Sequence, residues 1–498
     1  MLLGIDIGTT NSKAGLYTED GRAVAVESRK TVTHTHAEGY SYYDPDGMWE
    51  SIASAVRTVL QKAGNPKVKA VGITSMAESG LLVDRETGQA KSPFMPWFDT
   101  CSQAQADRIA QETEPFELFQ QTGLRNSFKM GLAKLLWIRD RFPEALDGPV
   151  TWLSASSYIA YRLSGSMAID YSLAARTLAF RIDEKRWNRE WLAHFGFEES
   201  LFPQALPSGA RMGDVNANAA AKTGLTTGTP VAVAGHDHVI AALAVGSIAP
   251  GVVYDSMGTA ETLVGTLEER PLTRKQFDSG LSYGCHVVPD RHFWMGGNSA
   301  SGGSIEWLRA QFGEEPMSYE QLIKLLDAVK PGPTGILYYP YLSGSGAPSP
   351  NPRAKAAFIG FTGKQGKGEL IKAVLEGTAY QLQLIRRSAE EIAGSPIGTL
   401  LVVGGGTRNR QWLQVKADVL NCSLEVPPIE EATLLGAAMA AGIGCGVYGS
   451  PEEAVKAVRT SGSARIEADV ERHEAYRKLY DEGYVPMLGA LGEFYRRG

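Results

Sequence analysis

The residues best suited to chemistry lie at the start of the chain, where an apolar run carries Asp6 to a turn of glycine and hydroxyl residues. Lys13 follows this turn, and a second apolar run begins directly after it. The pattern predicts a β-hairpin whose tip exposes backbone N–H groups, hydroxyls and one lysine, the groups that hold a polyphosphate. Asp6 is suited to organise Mg²⁺ through water, because Mg²⁺ prefers oxygen ligands and keeps much of its hydration. The predicted phosphate ligands are Gly8, Thr9, Thr10, Asn11 and Lys13.

A second candidate for chemistry is Asp237, which stands between His236 and His238. The apolar run 230–235 before it predicts a buried strand, and the small residues 239–245 after it predict a helix. Because α/β proteins place ligand-facing groups at the carboxyl ends of strands, Asp237 can take the proton from a hydroxyl that attacks phosphorus. A helix N-cap is the structural alternative for this residue. The histidines are interpreted as side chains of a substrate pocket. Zinc binding is the alternative for them, and it would need a third ligand that is not nearby in sequence.

Two glycine-rich turns are candidates for contact with a nucleotide. Gly404 and Gly405 follow a predicted strand, and Asn409 lies in the segment 407–412, which is predicted to open the next helix. Glycines between a strand and a helix N-terminus let a nucleotide approach the backbone closely, although a plain tight turn has the same pattern. The second turn, residues 296–303, is predicted to bring Gly302 near the phosphates, with an ordinary glycine turn as the alternative.

An aromatic residue and two carboxylates suggest a site for a polyhydroxylated substrate. Glu78 comes just after the predicted strand 68–74, and Trp97 and Asp99 follow a proline-bounded segment. An aromatic ring packs on the C–H faces of such a substrate while carboxylates accept hydrogen bonds from its hydroxyls. A tryptophan in the hydrophobic core is the ordinary alternative.

These residues must be positioned by the secondary-structure elements around them. Strand and helix signals alternate along the whole chain, and this alternation predicts an α/β architecture. Residues 252–264 repeat the pattern of the opening hairpin, with Gly258 and Thr259 at the tip. The repeat begins near the midpoint of the chain, so we predict two similar halves, 1–246 and 247–498. The first half would hold the substrate and one phosphate tip, and the second half would hold the nucleotide and the other tip. The two tips would face each other across a cleft.

Composition limits the class of protein. A chain of 498 residues is too long for one ordinary core, which also predicts two domains. The net charge of −6 and the lack of a dense basic run argue against a nucleic-acid binder. No apolar run approaches the ~20 residues that span a membrane, and no signal-peptide pattern is present, so we expect a cytoplasmic protein. The four scattered cysteines are expected to be free thiols.

Across essentially its whole length the chain resembles the FGGY family of carbohydrate kinases, within the actin-like/hexokinase ATPase superfamily. Residues 356–361 and 369–377 are similar to the C-terminal signature of the family, with Phe361 as a departure. Residues 134–140 resemble the N-terminal signature, and residues 404–412 resemble the adenosine motif. The opening hairpin is similar to the first phosphate motif.

The resemblance implies two actin-like (ribonuclease H-like) domains that close over ATP and a sugar. It implies that Asp237 is the catalytic base and that Asp6 and Asp237 hold Mg²⁺. The two hairpin tips would face the phosphates from opposite sides, while Gly405 and Asn409 would contact the adenosine. Homodimers are common in this family.

The substrate class is predicted from departures within the family patterns. Ala77-Glu78 stands where members that act on glycerol carry Arg-Glu and those that act on xylulose carry Met-His. Trp97 and Asp99 resemble the ketose kinases, so we expect a ketopentose, a ketohexose or a sugar alcohol. Two other hypotheses stay open at this point: a non-kinase ATPase of the same superfamily, and a sugar-binding regulator that has lost catalysis.

Overall fold

The computed structural model describes residues 1–458 and 462–497, and its first half is built on a mixed sheet flanked by helices. The strands of this half are β1 (Leu2–Ile7), β2 (Asn11–Tyr17), β3 (Ala23–Lys30), β4 (Thr33–Thr35), β5 (Ser41–Tyr43), β6 (Ala70–Ser75), β7 (Gly80–Asp84), β8 (Val150–Ser154), β9 (Ala168–Asp170), β10 (Phe180–Arg181), β11 (Arg186–Trp187), β12 (Gln204–Leu206), β13 (Arg211–Asp214) and β14 (Pro230–His236). Its helices are α1 (Pro45–Lys62), α2 (Gln103–Glu112), α3 (Pro115–Thr122), α4 (Gly131–Arg141), α5 (Ala155–Ser164), α6 (Tyr171–Ala175), α7 (Arg189–His194), α8 (Ala217–Thr223) and α9 (Asp237–Val245).

The second half has its own mixed sheet. Its strands are β15 (Val253–Met257), β16 (Glu261–Glu268), β17 (Ser282–Cys285), β18 (Arg291–Asn298), β19 (Leu337–Tyr339), β20 (Ala357–Ile359), β21 (Thr399–Val403), β22 (Ser423–Val426) and β23 (Ala464–Ile466). Its helices are α10 (Arg274–Asp278), α11 (Gly302–Ala310), α12 (Tyr319–Asp327), α13 (Lys367–Ala393), α14 (Arg410–Leu420), α15 (Ala432–Gly444), α16 (Pro451–Val458), α17 (Val470–Leu479) and α18 (Val485–Arg497).

The two sheets share one plan. The first has the order β13-β14-β6-β1-β2-β3, in which β1, β2 and β3 form an antiparallel meander while β6 and β14 run parallel to β1. The second has the order β17-β18-β16-β15-β21-β22-β23, in which β15, β16 and β18 form the meander while β21 and β22 run parallel to β15. The duplication expected from the sequence repeat is therefore present in strand order and direction.

The two hairpins differ where chemistry is expected. In the β1–β2 hairpin Asp6 lies opposite Lys13, whereas in the β15–β16 hairpin Ser256 lies opposite Thr262. The glycine of each tip comes two residues after Asp6 or Ser256. The backbone of the tip is thus repeated, but the acidic group suited to a metal ion is found in the first copy only.

Two helices of small residues, α9 and α15, pack closely against each other and against the first sheet. Helix α15 belongs to the second half in sequence, yet it lies on β1 and β6. A Cβ added to Gly436 would lie 2.1 Å from the carbonyl oxygen of Ile240, and one added to Gly4 would lie 2.0 Å from that of Leu434. Backbones can approach this closely only where a side chain is missing, so these glycines join the two halves.

Gly72→Ala is expected to lower the free energy of unfolding by about 1–3 kcal/mol, because the backbone of α15 must move to make room for the methyl group. A Cβ at Gly72 would lie 1.9 Å from the carbonyl oxygen of Ala437 in α15. The matched control is Gly363→Ala, whose Cβ would meet nothing within 4 Å. The check is the midpoint of thermal unfolding, and equal midpoints for the two variants would contradict the prediction.

Two element boundaries differ from the sequence expectation. Residues 296–298, expected in a turn, instead continue β18 because they pair with β16. The helix expected from residue 407 begins at Arg410 instead, after a short 3-10 turn (Gly405–Arg408).

Among the helices of the described segments, none combines the length and apolar character needed to cross a bilayer. The four cysteines are unpaired.

Candidate active site

A cavity of about 420 Å³ lies between the two halves, where the two hairpins approach each other. Thr9 at the first tip and Ala260 at the second both border it, as does Asp237 after β14. The two tips therefore face a common space, and the candidate base lies at the same space.

The backbone that carries Asp237 is held firmly where β14 ends. The hydroxyl of Thr74 donates to the carbonyl oxygen of Gly235 at 2.6 Å, and the N–H of His236 donates to Oγ of Ser172 at 2.9 Å. Gly235 has φ of 121°, a conformation that favours glycine. Helix α9 begins at Asp237 with His236 as its N-cap, so the capping alternative for Asp237 is wrong.

Two histidines keep the Asp237 carboxylate ionised. Its Oδ1 accepts a hydrogen bond from the N–H of His238 at 2.7 Å and lies 3.1 Å from Nε2 of His236. Burial alone would raise the pKa of Asp237, but His238 and His236 outweigh burial and lower the pKa to about 2. Burial lowers the pKa of His238, and the nearby charge of Asp237 only partly offsets this decrease. Asp237 is thus a carboxylate at neutral pH, the state that a general base requires.

Asp6 lies beneath the first tip with one oxygen unsatisfied. Its Oδ1 is buried and has no hydrogen-bond partner within the described residues. Burial raises the pKa of Asp6 well above its usual value; Asp237 and Glu431 add to this rise, and Lys13 opposes it. The carboxylates of Asp6 and Asp237 are suited to a divalent cation whose other ligands come from water and phosphate. In the described part of the chain no three His, Cys, Asp or Glu side chains are arranged to hold a metal ion unaided.

The ammonium group of Lys13, predicted to bind phosphate, is paired with a carboxylate in this structure. Its Nζ pairs with both carboxylate oxygens of Glu431 at 2.8 Å. Glu431 directly precedes α15, so this ion pair ties the first hairpin to a helix from the second half. Sequence reasoning missed Glu431, because nothing local connects positions so far apart in the chain.

The first tip divides into residues that border the cavity and residues that do not. The N–H of Gly8 donates to the carbonyl oxygen of Asn11 at 3.1 Å, which closes the turn. Oγ1 of Thr9 accepts a hydrogen bond from Nε1 of Trp97 at 2.8 Å, and both residues line the cavity. Thr10 and Asn11 are exposed and lie outside the lining.

The second tip is seated on the start of α11. The N–H of Gly302 donates to the carbonyl oxygen of Gly258 at 3.1 Å, and the N–H of Gly303 donates to that of Thr259 at 2.9 Å. A Cβ on Gly302 would lie 2.6 Å from the oxygen of Gly258. Gly302 therefore supports the tip, and its N–H is not free to bind a phosphate here.

The glycine loop after β21 lies beside the second tip. A Cβ on Gly404 would lie 2.7 Å from the carbonyl oxygen of Met257, whereas one on Gly405 would meet nothing within 4 Å. Gly405 therefore leaves open space next to the hairpin. The side-chain oxygen of Asn409 is already occupied within the protein. It caps α14 by accepting a hydrogen bond from the N–H of Trp412 at 3.0 Å.

Two cationic residues that sequence reasoning missed, Arg176 and Lys129, also line the cavity. Nε of Arg176 donates to Oε1 of Glu78 at 2.6 Å. Burial would raise the pKa of Glu78, but Arg176 and its neighbours outweigh burial and the pKa lies below its usual value. Nζ of Lys129 lies 5.0 Å from the centre of the Trp97 ring. No motif or spacing links these residues to Glu78, so the sequence carried no signal for them.

Asp99 is not brought into the cavity, which corrects its assignment as a substrate contact. Its carboxylate accepts the N–H of Ser41 at 2.6 Å and the N–H of Cys101 at 2.9 Å. Both oxygens are thus occupied by backbone donors. The residue holds the loop that presents Trp97 rather than facing a ligand.

A buried ionic cluster lies behind the second tip. Lys416 pairs with Asp255 at 3.3 Å and contacts the carboxylate of Glu261, and all three side chains are completely buried. Glu261 also accepts the hydroxyl of Ser301 at 2.6 Å. The cluster therefore connects α14, the β15–β16 hairpin and the start of α11.

A two-domain α/β fold with phosphate-type tips and an ionised carboxylate around one cleft defines a class of phosphotransferase. The profile of the FGGY family of carbohydrate kinases, N-terminal domain, matches residues 1–244, and that of the C-terminal domain matches residues 253–445. The chain therefore belongs to the FGGY family of carbohydrate kinases.

Curated relatives and solved structures agree with this family. The chain is 28% identical to the xylulose kinase of Bacillus subtilis (strain 168) over 96% of this chain and 95% of that protein. It is 27% identical to the gluconokinase of Bacillus licheniformis over 88% of this chain and 86% of that protein. The crystal structure of xylulose kinase from Rhodospirillum rubrum superimposes with a TM-score of 0.88 at 26% identity and covers 99% of both chains.

Family membership confirms the predicted α/β fold of two domains and the predicted enzyme class, a carbohydrate kinase that phosphorylates a sugar or polyol. ATP is the phosphoryl donor that this family implies. The two other hypotheses, a non-kinase ATPase and a silent sugar-binding regulator, are not favoured, because the matches span both kinase domains.

Proposed function

We propose that the protein transfers the terminal phosphoryl group of ATP to a hydroxyl of a small sugar or polyol, with Asp237 as the general base. The supporting observation is that Asp237 borders the same cavity as both hairpin tips. Phosphoryl transfer requires mainly positioning and charge stabilisation, which the two phosphate-type tips would supply, while the ionised carboxylate between them would accept the proton of the acceptor.

Asp237 is proposed to receive the acceptor's proton. The bonds from His236 and His238 both go to Oδ1, which leaves Oδ2 for the acceptor hydroxyl. As the hydroxyl oxygen attacks phosphorus, its proton passes to the carboxylate and a phosphate ester forms. The histidines hold the carboxylate in place during this transfer.

Asp6 and Asp237 are proposed to hold Mg²⁺ through its bound water, and the unpartnered Oδ1 of Asp6 supports this assignment. When bound, the cation would neutralise charge on the phosphate oxygens. The two tips are proposed to contact the phosphates, and the open space at Gly405 is proposed to receive the adenosine.

The halves 1–246 and 247–498 are proposed to close over the ligands, which would exclude water and suppress hydrolysis of ATP. Trp97 and His238 are proposed to contact the acceptor, because both line the cavity beside Asp237. A homodimer and a cytoplasmic location stay predictions.

The test is a panel of ketoses, alditols and sugar acids at fixed Mg²⁺ and ATP, with ADP release and product mass as readouts. We expect one acceptor class to raise ADP release well above the acceptor-free rate and to gain the mass of a phosphoryl group. An equal rate of ADP release with every acceptor and without any acceptor would instead support an ATPase. Acceptor binding without transfer would support a regulator.

A further inference from the structure

Every acidic side chain that lines the cavity has an ion-pair or hydrogen-bond partner, but one cationic side chain has neither. Glu78 is paired with Arg176, Glu261 contacts Lys416, and Asp237 is held by its neighbouring histidines. Lys129 lines the same cavity and forms no ion pair or side-chain hydrogen bond with any described residue. A partly buried ammonium without a counter-charge is costly unless a ligand supplies one.

Arg176 is a second cation of the cavity, and part of its guanidinium has no acceptor. Glu78 is contacted by Nε and Nη2 of Arg176, while Nη1 is buried and has no acceptor within the described residues. One carboxylate thus satisfies only part of the guanidinium. Lys129 and Arg176 therefore place two cations beside the anion of Glu78, and Asp237 is a second anion in the same cavity.

Lys129 lies beside Trp97, which is proposed to contact the acceptor. Burial lowers the pKa of Lys129, Glu78 opposes this shift and Arg176 adds to it, so the Glu78–Arg176 pair is the charged group beside Lys129. Its ammonium also lies over the Trp97 ring, a surface suited to the C–H face of a carbohydrate. An anionic group attracted by Lys129 would therefore belong to the acceptor.

We propose that the acceptor is a polyhydroxylated carboxylic acid of the aldonic-acid class, whose carboxylate is bound by Lys129 with added attraction from Arg176. The inference rests on the proposed function and replaces the neutral ketose or sugar alcohol expected from the sequence. An ion pair at one end of the acceptor orients the chain, so that a hydroxyl at a set distance meets Asp237.

The first test compares acceptors that differ only in the acid group. Each aldonate is paired with the alditol of the same carbon chain, such as gluconate with glucitol, and kcat/KM is measured with Mg²⁺ and ATP. We expect the acid to be preferred by about 10- to 100-fold, the usual effect of a charged hydrogen bond. A neutral sugar or alditol used as well as any acid would overturn this inference but leave the kinase assignment standing. Failure of every acceptor would overturn both.

The second test uses Lys129→Gln with Lys91→Gln as the matched control, because Lys91 is exposed and lies outside the cavity. We expect Lys129→Gln to lower the ratio of acid to alditol kcat/KM by about 10- to 100-fold, mainly through KM for the acid. Lys129→Arg should retain most of the preference, and Lys91→Gln should not change it. An equal loss of kcat for acid and alditol would place Lys129 at the transferred phosphoryl group and overturn the proposal.

Discussion

Asp237→Asn is expected to lower kcat about 1,000-fold, within the usual contribution of a general base, while the protein stays folded. The amide oxygen of asparagine can still accept the N–H of His238, so the start of α9 keeps its hydrogen bond. What the variant loses is the group that takes the acceptor's proton. The measurement is kcat by ADP release at saturating ATP and acceptor.

Asp147→Asn is the control for this substitution, because Asp147 is exposed and remote from the cavity. It makes the same chemical change and should retain full activity. Asp237→Asn should lose some stability, because its ionised carboxylate has a lowered pKa in the folded protein, but its unfolding midpoint should stay well above the assay temperature. Full activity in Asp237→Asn would refute the assignment of the base, and a collapsed midpoint would show that the residue is needed for folding instead.

Lys416→Met is expected to be the most destabilising single change proposed for this protein, at about 3–5 kcal/mol. Burial lowers the pKa of Lys416, and Asp255 opposes that effect. Removing the ammonium leaves Asp255 and Glu261 buried without their cationic partner, and burial already raises the pKa of Asp255. Such acids must either stay charged at a high cost or take up protons.

The measurement for Lys416→Met is the urea midpoint, followed by fluorescence and by circular dichroism because two domains can unfold separately. The control is Lys324→Met, since Lys324 is exposed on α12 and forms no ion pair with a described residue. A loss below about 1 kcal/mol would show that the cluster is not a net source of stability.

Features encoded in short segments were predicted best. The β1–β2 hairpin, the end of β14 and the repeat at β15–β16 each depend on local pattern, because alternating apolar residues and a glycine tip specify a hairpin wherever they occur. The partners of side chains were predicted less well. Asp99 is occupied by backbone donors and Lys13 by Glu431, and neither partner leaves a trace in the neighbouring sequence.

By itself, the sequence determined the α/β class, the duplication and the presence of an acidic residue at the end of a strand, since periodicity and turn chemistry act over a few residues. Only the tertiary structure decided which charges meet. It brought Arg176 to Glu78, left Lys129 without a counter-charge and laid α15 on the first sheet. These outcomes depend on contacts between segments that are distant in sequence. The entropy lost and the packing energy gained in such contacts arise only when the chain folds, so the local sequence does not reveal them.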